Sequence, residues 1–291
     1  MNSPKLIKSA AAMTDATRQA KTQGTVALVP TMGALHEGHL SLVRAAKKSC
    51  STVVVSIFVN PTQFGPNEDF ERYPRTFEAD LELLAREQVD LVFAPSKEEM
   101  YSQGAPRTYV EVGGISDRLD GAHRPGHFRG VASVVAKLFN ITTPDVAFFG
   151  QKDAAQVAVL RAMVRDLNFP LKLVVGPTVR EPDGLAMSSR NRYLTADQRA
   201  RSIVLYRALS KAQEAADRGV RDAGELKAIM QSILREQPEA EIEYVEVVDR
   251  DTLEAIADVS TGALLAIAAR IGGTRLIDNV LLQSPGENVC E

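Results

Sequence analysis

Residues 26–39, Val26-Ala27-Leu28-Val29-Pro30-Thr31-Met32-Gly33-Ala34-Leu35-His36-Glu37-Gly38-His39, join an apolar run to a stretch, 40–48, that is patterned as a helix. A buried strand that gives way to a helix is typical of a parallel α/β unit. In such a unit the helix N-terminus, with its unpaired N–H groups, faces the carboxyl end of the strand. The join therefore predicts a site for phosphate.

Further short apolar runs follow at intervals long enough to hold a helix. They are Val53–Val59, Leu91–Phe93, Val146–Phe149 and Leu171–Val175. Apolar residues at helical spacing mark the connecting segments around 81–85, 131–138 and 157–164. This alternation predicts an α/β fold with a parallel sheet and covering helices. Because ligands collect at the carboxyl ends of such strands, we expect the chemistry in loops 30–39, 60–75 and 150–156.

The pattern changes after residue 177. Thr195 and Gln198 form a capping box that opens a long helix, which Gly219 ends, and a second helix ends before Pro238. Strand-like runs over 242–248, 264–268 and 276–282 complete the chain. We predict two domains, a larger α/β domain over 1–178 and a smaller α+β domain over 179–291, joined by a polar hinge loop at 180–192.

Two histidines at the helix start, His36 and His39, are the first candidates for chemistry. Imidazoles three residues apart share roughly one face of the first turn and can donate hydrogen bonds to phosphate oxygens, while Gly38 permits close approach to the backbone. A zinc site of the H-E-x-x-H type needs a spacing one residue longer. The remaining alternative is that both histidines only cap the helix.

Two other loops carry groups suited to a nucleotide. Met187-Ser188-Ser189-Arg190-Asn191 supplies hydroxyls and a guanidinium that can wrap a triphosphate, although such polar loops are commonly only solvated surface. Gly150-Gln151-Lys152-Asp153 follows a buried strand and opens a helix at Ala154. Lys152 can therefore bind phosphate or form a surface ion pair with Asp153, and Gln156 one turn later faces the same crevice.

Two segments suit a small polar substrate. In Phe58–Gly65, the amide of Gln63 can hold a carboxylate without neutralising it, or Asn60 and Gln63 can simply satisfy the backbone of a turn. Arg124–Gly130 adds two arginines and His127 before another helix. We interpret it as a mobile loop that faces substrate or has a structural role.

Composition excludes several classes of protein. The net charge of −3, from 34 basic and 37 acidic side chains, does not favour nucleic-acid binding. No run approaches the roughly 20 apolar residues of a membrane span, and none before residue 21 is long enough for a signal peptide, so we expect a cytoplasmic protein without membrane contact. Cys50 and Cys290 form no C-x-x-C pair and support no disulfide framework or thiolate metal site.

Taken together, six segments closely resemble the pantothenate synthetase family and follow one another over nearly the whole chain. They are Pro30–His39, Phe58–Gly65, Tyr73–Thr76, Arg124–Gly130, Phe149–Asp153 and Met187–Arg192. The His-x-Gly-His and Met-Ser-Ser-Arg-like elements also resemble the two adenylation signatures of nucleotidyl transferases and class I aminoacyl-tRNA synthetases. The resemblance implies a Rossmann-like N-terminal domain with helices on both faces, a smaller C-terminal lid and a homodimer.

The resemblance also implies a reaction. The carboxylate of (R)-pantoate attacks the α-phosphorus of ATP to give pantoyl adenylate and pyrophosphate, and the amine of β-alanine then displaces AMP. By resemblance Gln63 and Gln156 hold pantoate, and Gln63 also meets β-alanine. Mg²⁺ accompanies ATP without an assigned protein ligand, Asp80 being only a guess, and Gln151 stands where the family often has Glu.

The resemblance assigns ATP to three segments, with His39 as the proton donor and Val179 near the adenine. The ATP residues are Met32, Gly33, Ala34, Leu35, His36, Glu37, Gly38 and His39, then Gly150, Gln151, Lys152 and Asp153, and finally Met187, Ser188, Ser189 and Arg190. Of these, the implied catalytic residues are His36, His39, Lys152, Ser188, Ser189 and Arg190.

Three alternative functions are each less well supported by the sequence. A nucleotidyl transferase that keeps the nucleotide on its product needs only the His-x-Gly-His loop, but Gln63 and Gln156 argue against it. A class I synthetase needs a basic tRNA-binding module, which this acidic chain lacks. A nucleotide-sensing dimer can dispense with His39 or Lys152, and both are present.

Overall fold

The computed structural model describes residues 3–102, 104 and 106–284; Cys290 and the end of the predicted second domain lie outside the described residues. Six parallel strands form one sheet in the order β1-β4-β3-β2-β5-β6. Their bounds are β1 (Lys5–Ile7), β2 (Val26–Thr31), β3 (Thr52–Ile57), β4 (Leu91–Phe93), β5 (Val146–Gly150) and β6 (Lys172–Gly176). The prediction of a parallel α/β sheet is confirmed.

Seven helices connect and cover these strands. They are α1 (Ala10–Lys21), α2 (Glu37–Ser49), α3 (Phe77–Arg86), α4 (Lys97–Met100), α5 (Asp120–His123), α6 (His127–Thr142) and α7 (Ala154–Asp166). Apolar residues of the central strands are fully buried on both faces, as a sheet covered on both sides requires. One cluster packs around α6 and α7, and another packs beneath α2 and α3.

The strand order reverses between β2 and β5. From β2 the chain continues outward through β3 and β4 on one side, and it returns to pair β5 with the other edge of β2 at Ala27 and Leu28. Ligands in open parallel sheets bind in the crevice at such a switch point. The β2–α2 loop and the β5–α7 loop, both singled out in the sequence, therefore flank the same crevice.

The C-terminal part contains α8 (Ala196–Asp217), α9 (Ala223–Leu234) and an antiparallel sheet of β7 (Glu241–Val248), β8 (Ala263–Ile271) and β9 (Thr274–Leu282). The predicted capping box is present, since Thr195 and Gln198 each bond the backbone of the other. A smaller α+β part after the parallel sheet is thus confirmed. The boundary at 178/179 stays our proposal, placed just after β6.

The middle strand of this second sheet joins the two parts. Alternate residues of β8 face opposite sides: Leu264, Ala266 and Ala268 belong to the core around α6 and α7, whereas Leu265 and Ile267 belong to the core beneath α8 and α9. Residues of a strand alternate in this way because successive side chains point to opposite faces. The smaller part is therefore packed on the larger one through apolar contact as well as through the polar loop at 180–192.

The strands of the parallel sheet differ from the sequence prediction in two places. Sequence patterning missed β1, whose three residues pair only with β4 at the edge of the sheet. The predicted strand Val53–Val59 ends at Ile57, because Asn60 and Pro61 begin a single 3₁₀ turn, Pro61–Gln63. None of the described helices combines the length and apolar character that a membrane span requires.

Candidate active site

The side chain of Asp80 fixes the conformation of the loop between β2 and α2 through hydrogen bonds. Gly33 and Ala34 adopt left-handed φ angles of 81° and 49°. The Asp80 carboxylate accepts hydrogen bonds from the backbone N–H groups of Ala34 and Leu35, each at 2.9 Å. The Thr76 hydroxyl donates a third bond at 3.1 Å. Asp80 therefore fixes the loop that presents the two histidines.

The two histidines close the first turn of α2 and also face the crevice. Nδ1 of His36 accepts from Gly38 N–H at 3.2 Å, and Nδ1 of His39 accepts from His36 N–H at 3.4 Å. Both rings line the cleft, with centroids 4.1 Å apart. Because a neutral imidazole with an accepting Nδ1 carries its proton on Nε2, both rings keep an N–H donor for a ligand.

Both imidazoles are neutral at physiological pH. Burial lowers the pKa of His36 to about 4, with Lys152 nearby adding to the effect. Burial and the neighbouring His36 ring lower the pKa of His39 to about 3. A side chain at Gly38 would meet the His36 ring at 3.0 Å, so Gly38 makes room for this ring rather than only for a ligand.

Another part of the cleft lining combines amides with an apolar helix face. Gln63 accepts from Asn60 Nδ2 at 3.0 Å and donates to Met32 Sδ at 3.4 Å. Four apolar residues of α6 and the buried Tyr73 complete this wall. The α6 residues are Val131, Val134, Val135 and Leu138. Sequence spacing identified that helix face as core, and the structure shows that it also lines the cleft.

Lys152 and Asp153 lie where β5 ends, across the switch point from the histidines. Their charged atoms are 3.5 Å apart. Burial opposes ionisation of Asp153, but Lys152 beside it holds the pKa of that carboxyl below its usual value. Asn279 of β9 donates to the carbonyls of Gln151 and Lys152 at 3.0 and 2.8 Å. The second sheet thus fixes the backbone of the lysine loop.

The segment 186–190 forms a third part of the cleft lining. Ser189 donates to the Ala34 carbonyl at 3.0 Å, and Ser188 begins a 3₁₀ turn by accepting from Arg190 N–H. The Arg190 guanidinium forks onto the Asp69 carboxylate at 2.9 and 2.8 Å. The sequence predicted that these groups lie in a polar hinge loop between two domains. In the structure Ser188, Arg190 and Lys152 already line one cleft.

This cleft has a volume of about 200 Å³ and opens beside a second cavity of about 420 Å³. The two cavities share five lining residues, which are Lys152, Asp153, Gln156, Ser188 and Arg190. A concave site with apolar walls and a few convergent polar groups is typical of a small-molecule site.

Most of the residues selected from sequence lie around this cleft. Those that line it are Met32, His36, Gly38, His39, Gln63, Gly150, Lys152, Asp153, Gln156, Val179, Met187, Ser188, Ser189 and Arg190. Others have different roles: Gly33, Ala34 and Leu35 are buried inside the loop, Glu37 pairs with Arg44 on the surface, and Gln151 donates to Asn279. Sequence reasoning missed Asp69 and Asn279, which contact the site from distant parts of the chain.

The described residues contain no group of three His, Cys, Asp or Glu side chains arranged to hold a metal ion. Asp80, the guess from sequence for a magnesium ligand, instead binds the backbone of the β2–α2 loop. Its carboxylate is 1% exposed, and both oxygens accept backbone N–H bonds. A divalent ion at this site would therefore have to arrive with its ligand, since Mg²⁺ commonly keeps one or two carboxylates plus substrate phosphates.

Comparison with known proteins points to one family. The family model for pantoate-beta-alanine ligase matches residues 5–281. Pantothenate synthetase of Acidobacterium capsulatum is 62% identical over 264 residues, which cover 90% of this chain and 88% of that protein. The enzyme of the same name from Moorella thermoacetica is 53% identical over 279 residues, covering 96% and 98%.

Solved structures agree. Pantothenate synthetase from Thermus thermophilus superposes with a TM-score of 0.90 at 46% identity, covering 95% of this chain and 98% of that one. Pantoate-beta-alanine ligase from Francisella tularensis, solved in complex with beta-gamma ATP and beta-alanine, gives a TM-score of 0.78 at 34% identity, covering 96% and 97%.

Proposed function

The chain belongs to the pantoate-beta-alanine ligase family, and we propose that it condenses pantoate with β-alanine to pantothenate using ATP. The carboxylate of pantoate forms a bond to the α-phosphorus as the bond to pyrophosphate breaks. The amine of β-alanine then attacks the acyl carbon of pantoyl adenylate, AMP leaves, and the amine loses a proton. Activation is needed because an ionised carboxylate is a very poor acyl donor.

One observation carries this proposal: two neutral imidazole N–H donors and one ammonium group converge on the cleft from opposite sides of the switch point. His36 and His39 approach from the N-terminus of α2, and Lys152 approaches from the end of β5. Donors that are fixed before the reaction stabilise negative charge as it moves toward a leaving pyrophosphate. This arrangement favours His39 as a hydrogen-bond donor over His39 as a proton donor, because its ring is neutral.

The amides and the apolar helix face that line the rest of the cleft suit pantoate. The amides of Gln63 and Gln156 can hold its carboxylate and hydroxyls without neutralising the nucleophile. The two methyl groups of pantoate match the apolar face of α6 formed by Val131, Val134 and Val135. The adjoining cavity, which also contacts Gln156, gives β-alanine a route to the acyl carbon.

Magnesium fits the site only as an ion carried by ATP. When bound to the phosphates it would offset their charge, and Asp153 is the ionised carboxylate of the cleft that is placed to approach it. We further propose a homodimer, which the resemblance to the family supports, and a cytoplasmic location, where ATP is available. Size-exclusion chromatography with light scattering tests the dimer.

The experiment is incubation with ATP, pantoate and β-alanine, followed by mass analysis. Pantothenate, AMP and pyrophosphate are the expected products, and omission of β-alanine should leave pantoate-dependent exchange of labelled pyrophosphate into ATP. Stoichiometric ADP, or a product that retains AMP, would contradict the assignment. Lys152→Ala should lower kcat by at least about 100-fold, whereas Lys172→Ala, at the exposed opposite end of β6, should not.

A further inference from the structure

The segment Arg124–Gly130, which the reaction above does not use, packs directly against the turn that carries Gln63. A Cβ on Gly130 would lie 2.3 Å from the Thr62 carbonyl oxygen, so only glycine permits this approach. Asn60 donates to the Gly130 carbonyl at 3.2 Å. The start of α6 and the turn Pro61–Gln63 are therefore held together as one unit.

Three charged or ionisable side chains form a chain of hydrogen bonds that ends on Gln63. The Arg124 guanidinium forks onto the Glu68 carboxylate at 2.7 and 2.6 Å, and the two side chains are only 12% and 22% exposed. Arg124 Nη1 contacts His127 Nε2 at 2.9 Å, and His127 Nδ1 contacts the Gln63 carbonyl oxygen at 2.8 Å. We call these three residues the relay.

The chemistry of the partners fixes the direction of every bond in the relay. Arginine can only donate, so His127 Nε2 must accept, and the ring proton must therefore lie on Nδ1. A carbonyl oxygen can only accept, so Nδ1–H donates to Gln63. The ring must be neutral, and burial together with Arg124 lowers the pKa of His127 to about 4. One tautomer of one neutral ring thus satisfies both neighbours.

The relay contacts the backbone of Gln63, whose side chain faces the cleft. The backbone carbonyl of Gln63 accepts from His127 Nδ1 at 2.8 Å and, at the longer distance of 3.5 Å, from Arg124 Nη2. The side-chain amide of Gln63 contacts Asn60 and Met32 inside the cleft. A residue restrained on both sides keeps its side chain near the geometry required for binding. By contrast, the donors on the ATP side, His36, His39 and Lys152, make no described hydrogen bond with the relay.

We propose that His127, oriented by Arg124 and Glu68, is a positioning residue that fixes Gln63 and thereby sets the affinity for the carboxylic-acid substrate. This inference rests on the proposed function, in which that acid is pantoate. The relay residues line the adjoining cavity of about 420 Å³, and none of them lines the cleft that contains His36 and His39. Its loss should weaken binding of the acid while leaving binding of ATP nearly unchanged.

Two substitutions at the same position separate positioning from simple packing. His127→Asn keeps a side-chain N–H near Nδ1, which can donate to Gln63, but it cannot reach Arg124. His127→Gln keeps an acceptor near Nε2 for Arg124 but loses the donor to Gln63. We expect His127→Gln and His127→Ala to raise KM for pantoate about three- to tenfold, the effect of one lost hydrogen bond. In His127→Asn the KM for pantoate should stay within about twofold of the wild-type value.

KM for ATP should stay within about twofold in all three variants, and His123→Asn, an exposed histidine on the neighbouring α5, is the matched control. Equal KM values for pantoate in His127→Asn and His127→Gln, or parallel increases for pantoate and ATP, would overturn the proposal. Hydrogen exchange of residues 60–64 without ligand gives a readout that does not depend on the reaction. It should increase in His127→Gln and not in His127→Asn. If the wild-type protein does not use pantoate, that result contradicts the proposed function and leaves the contacts of the relay untouched.

Discussion

Nδ1 of His39 accepts a hydrogen bond from the backbone N–H of His36 at 3.4 Å. This contact completes the first turn of α2 and leaves the Nε2–H of His39 available to the cleft. Helix capping and phosphate binding appeared as alternatives in the sequence. In the structure one imidazole can do both, because its two nitrogens serve different partners.

Two substitutions of His39, one that keeps the cap and one that removes it, separate these roles. His39→Glu retains a capping acceptor but directs negative charge at phosphate. His39→Ala removes both cap and donor. We expect both variants to lower kcat for adenylate formation by two to three orders of magnitude, the effect of losing ~3 to 4 kcal/mol of transition-state stabilisation. Pyrophosphate exchange measures the rate, and ATP titration should show a much smaller change in affinity for His39→Ala.

The capping box of α8 gives the matched control for stability. Gln198 accepts from Thr195 N–H at 3.0 Å in the same geometry and is not among the residues that line the cleft. Gln198→Ala should cost about 1 kcal/mol of unfolding free energy without altering turnover, and His39→Ala should cost a similar amount. Near-normal turnover in His39→Glu would show that His39 only caps the helix.

Asp80 should prove essential for the loop and irrelevant to magnesium. Asp80→Asn keeps one acceptor oxygen but places an amide N–H against a backbone N–H of Ala34 or Leu35. We expect a loss of roughly 2 to 3 kcal/mol of unfolding free energy, because a buried donor is left unpaired. Thermal unfolding and magnesium titration of activity measure the two effects. An unchanged melting temperature with a raised magnesium requirement would show instead that Asp80 binds the metal.

The sequence predicted the parallel sheet and the cleft because both depend on local patterns. Strand-to-helix joins at His36 and Lys152 are visible as short motifs, and the rules of parallel sheets place both joins on one edge. The second capping box, at Thr195, was predicted for the same reason. Each of these features is specified by residues within about one helical turn.

The features that sequence reasoning missed depend on contacts between distant residues. Asp69 meets Arg190 across 121 positions and Asn279 meets Lys152 across 127, and neither aspartate nor asparagine stands in a distinctive local pattern. Asp80 was misread because a carboxylate near an ATP loop suggests a metal ligand. Only the three-dimensional position of the Ala34 and Leu35 N–H groups shows that its oxygens are already bound.

Stability should fall as the pH decreases below neutrality. Burial lowers the folded-state pKa of His36 and His127 to about 4 and that of His39 to about 3, from 6.5. Below pH 6.5 the unfolded chain binds protons that the folded chain cannot, so each histidine costs up to about 1.4 kcal/mol per pH unit until its folded pKa is reached. Urea unfolding between pH 7 and 4.5 measures this loss.

A variant without the titrating ring identifies the source of that pH dependence. His127→Gln should be less stable than wild type at pH 7, but its stability should fall less steeply toward pH 4.5, since one proton fewer is taken up on unfolding. The slope, not the absolute stability, is the readout. Equal slopes in wild type and variant would contradict a lowered pKa for His127.

The segment 184–192 should be ordered before ATP binds. Ser189 is bonded to Ala34, Arg190 is paired with Asp69, and the N–H of Met187 donates to Val179 at 3.0 Å. A ligand shifts a conformational equilibrium only through contacts it makes better in one state. Because the segment already contacts the β2–α2 loop, we expect slow hydrogen exchange at 184–192 without ATP and only a small further decrease with it.

Removing one ion pair tests whether that order depends on Asp69. Asp69→Asn should speed exchange over 184–192 in the absence of ATP, because Arg190 loses its ionised partner. Asp183→Asn is the matched control, since Asp183 pairs with Arg199 at the outer side of the same segment. A large ATP-dependent slowing in wild type would instead favour the closing lid predicted from sequence. The apolar packing of β8 against both cores argues against such a motion, because opening the lid would expose Leu264 and Ala266 to water.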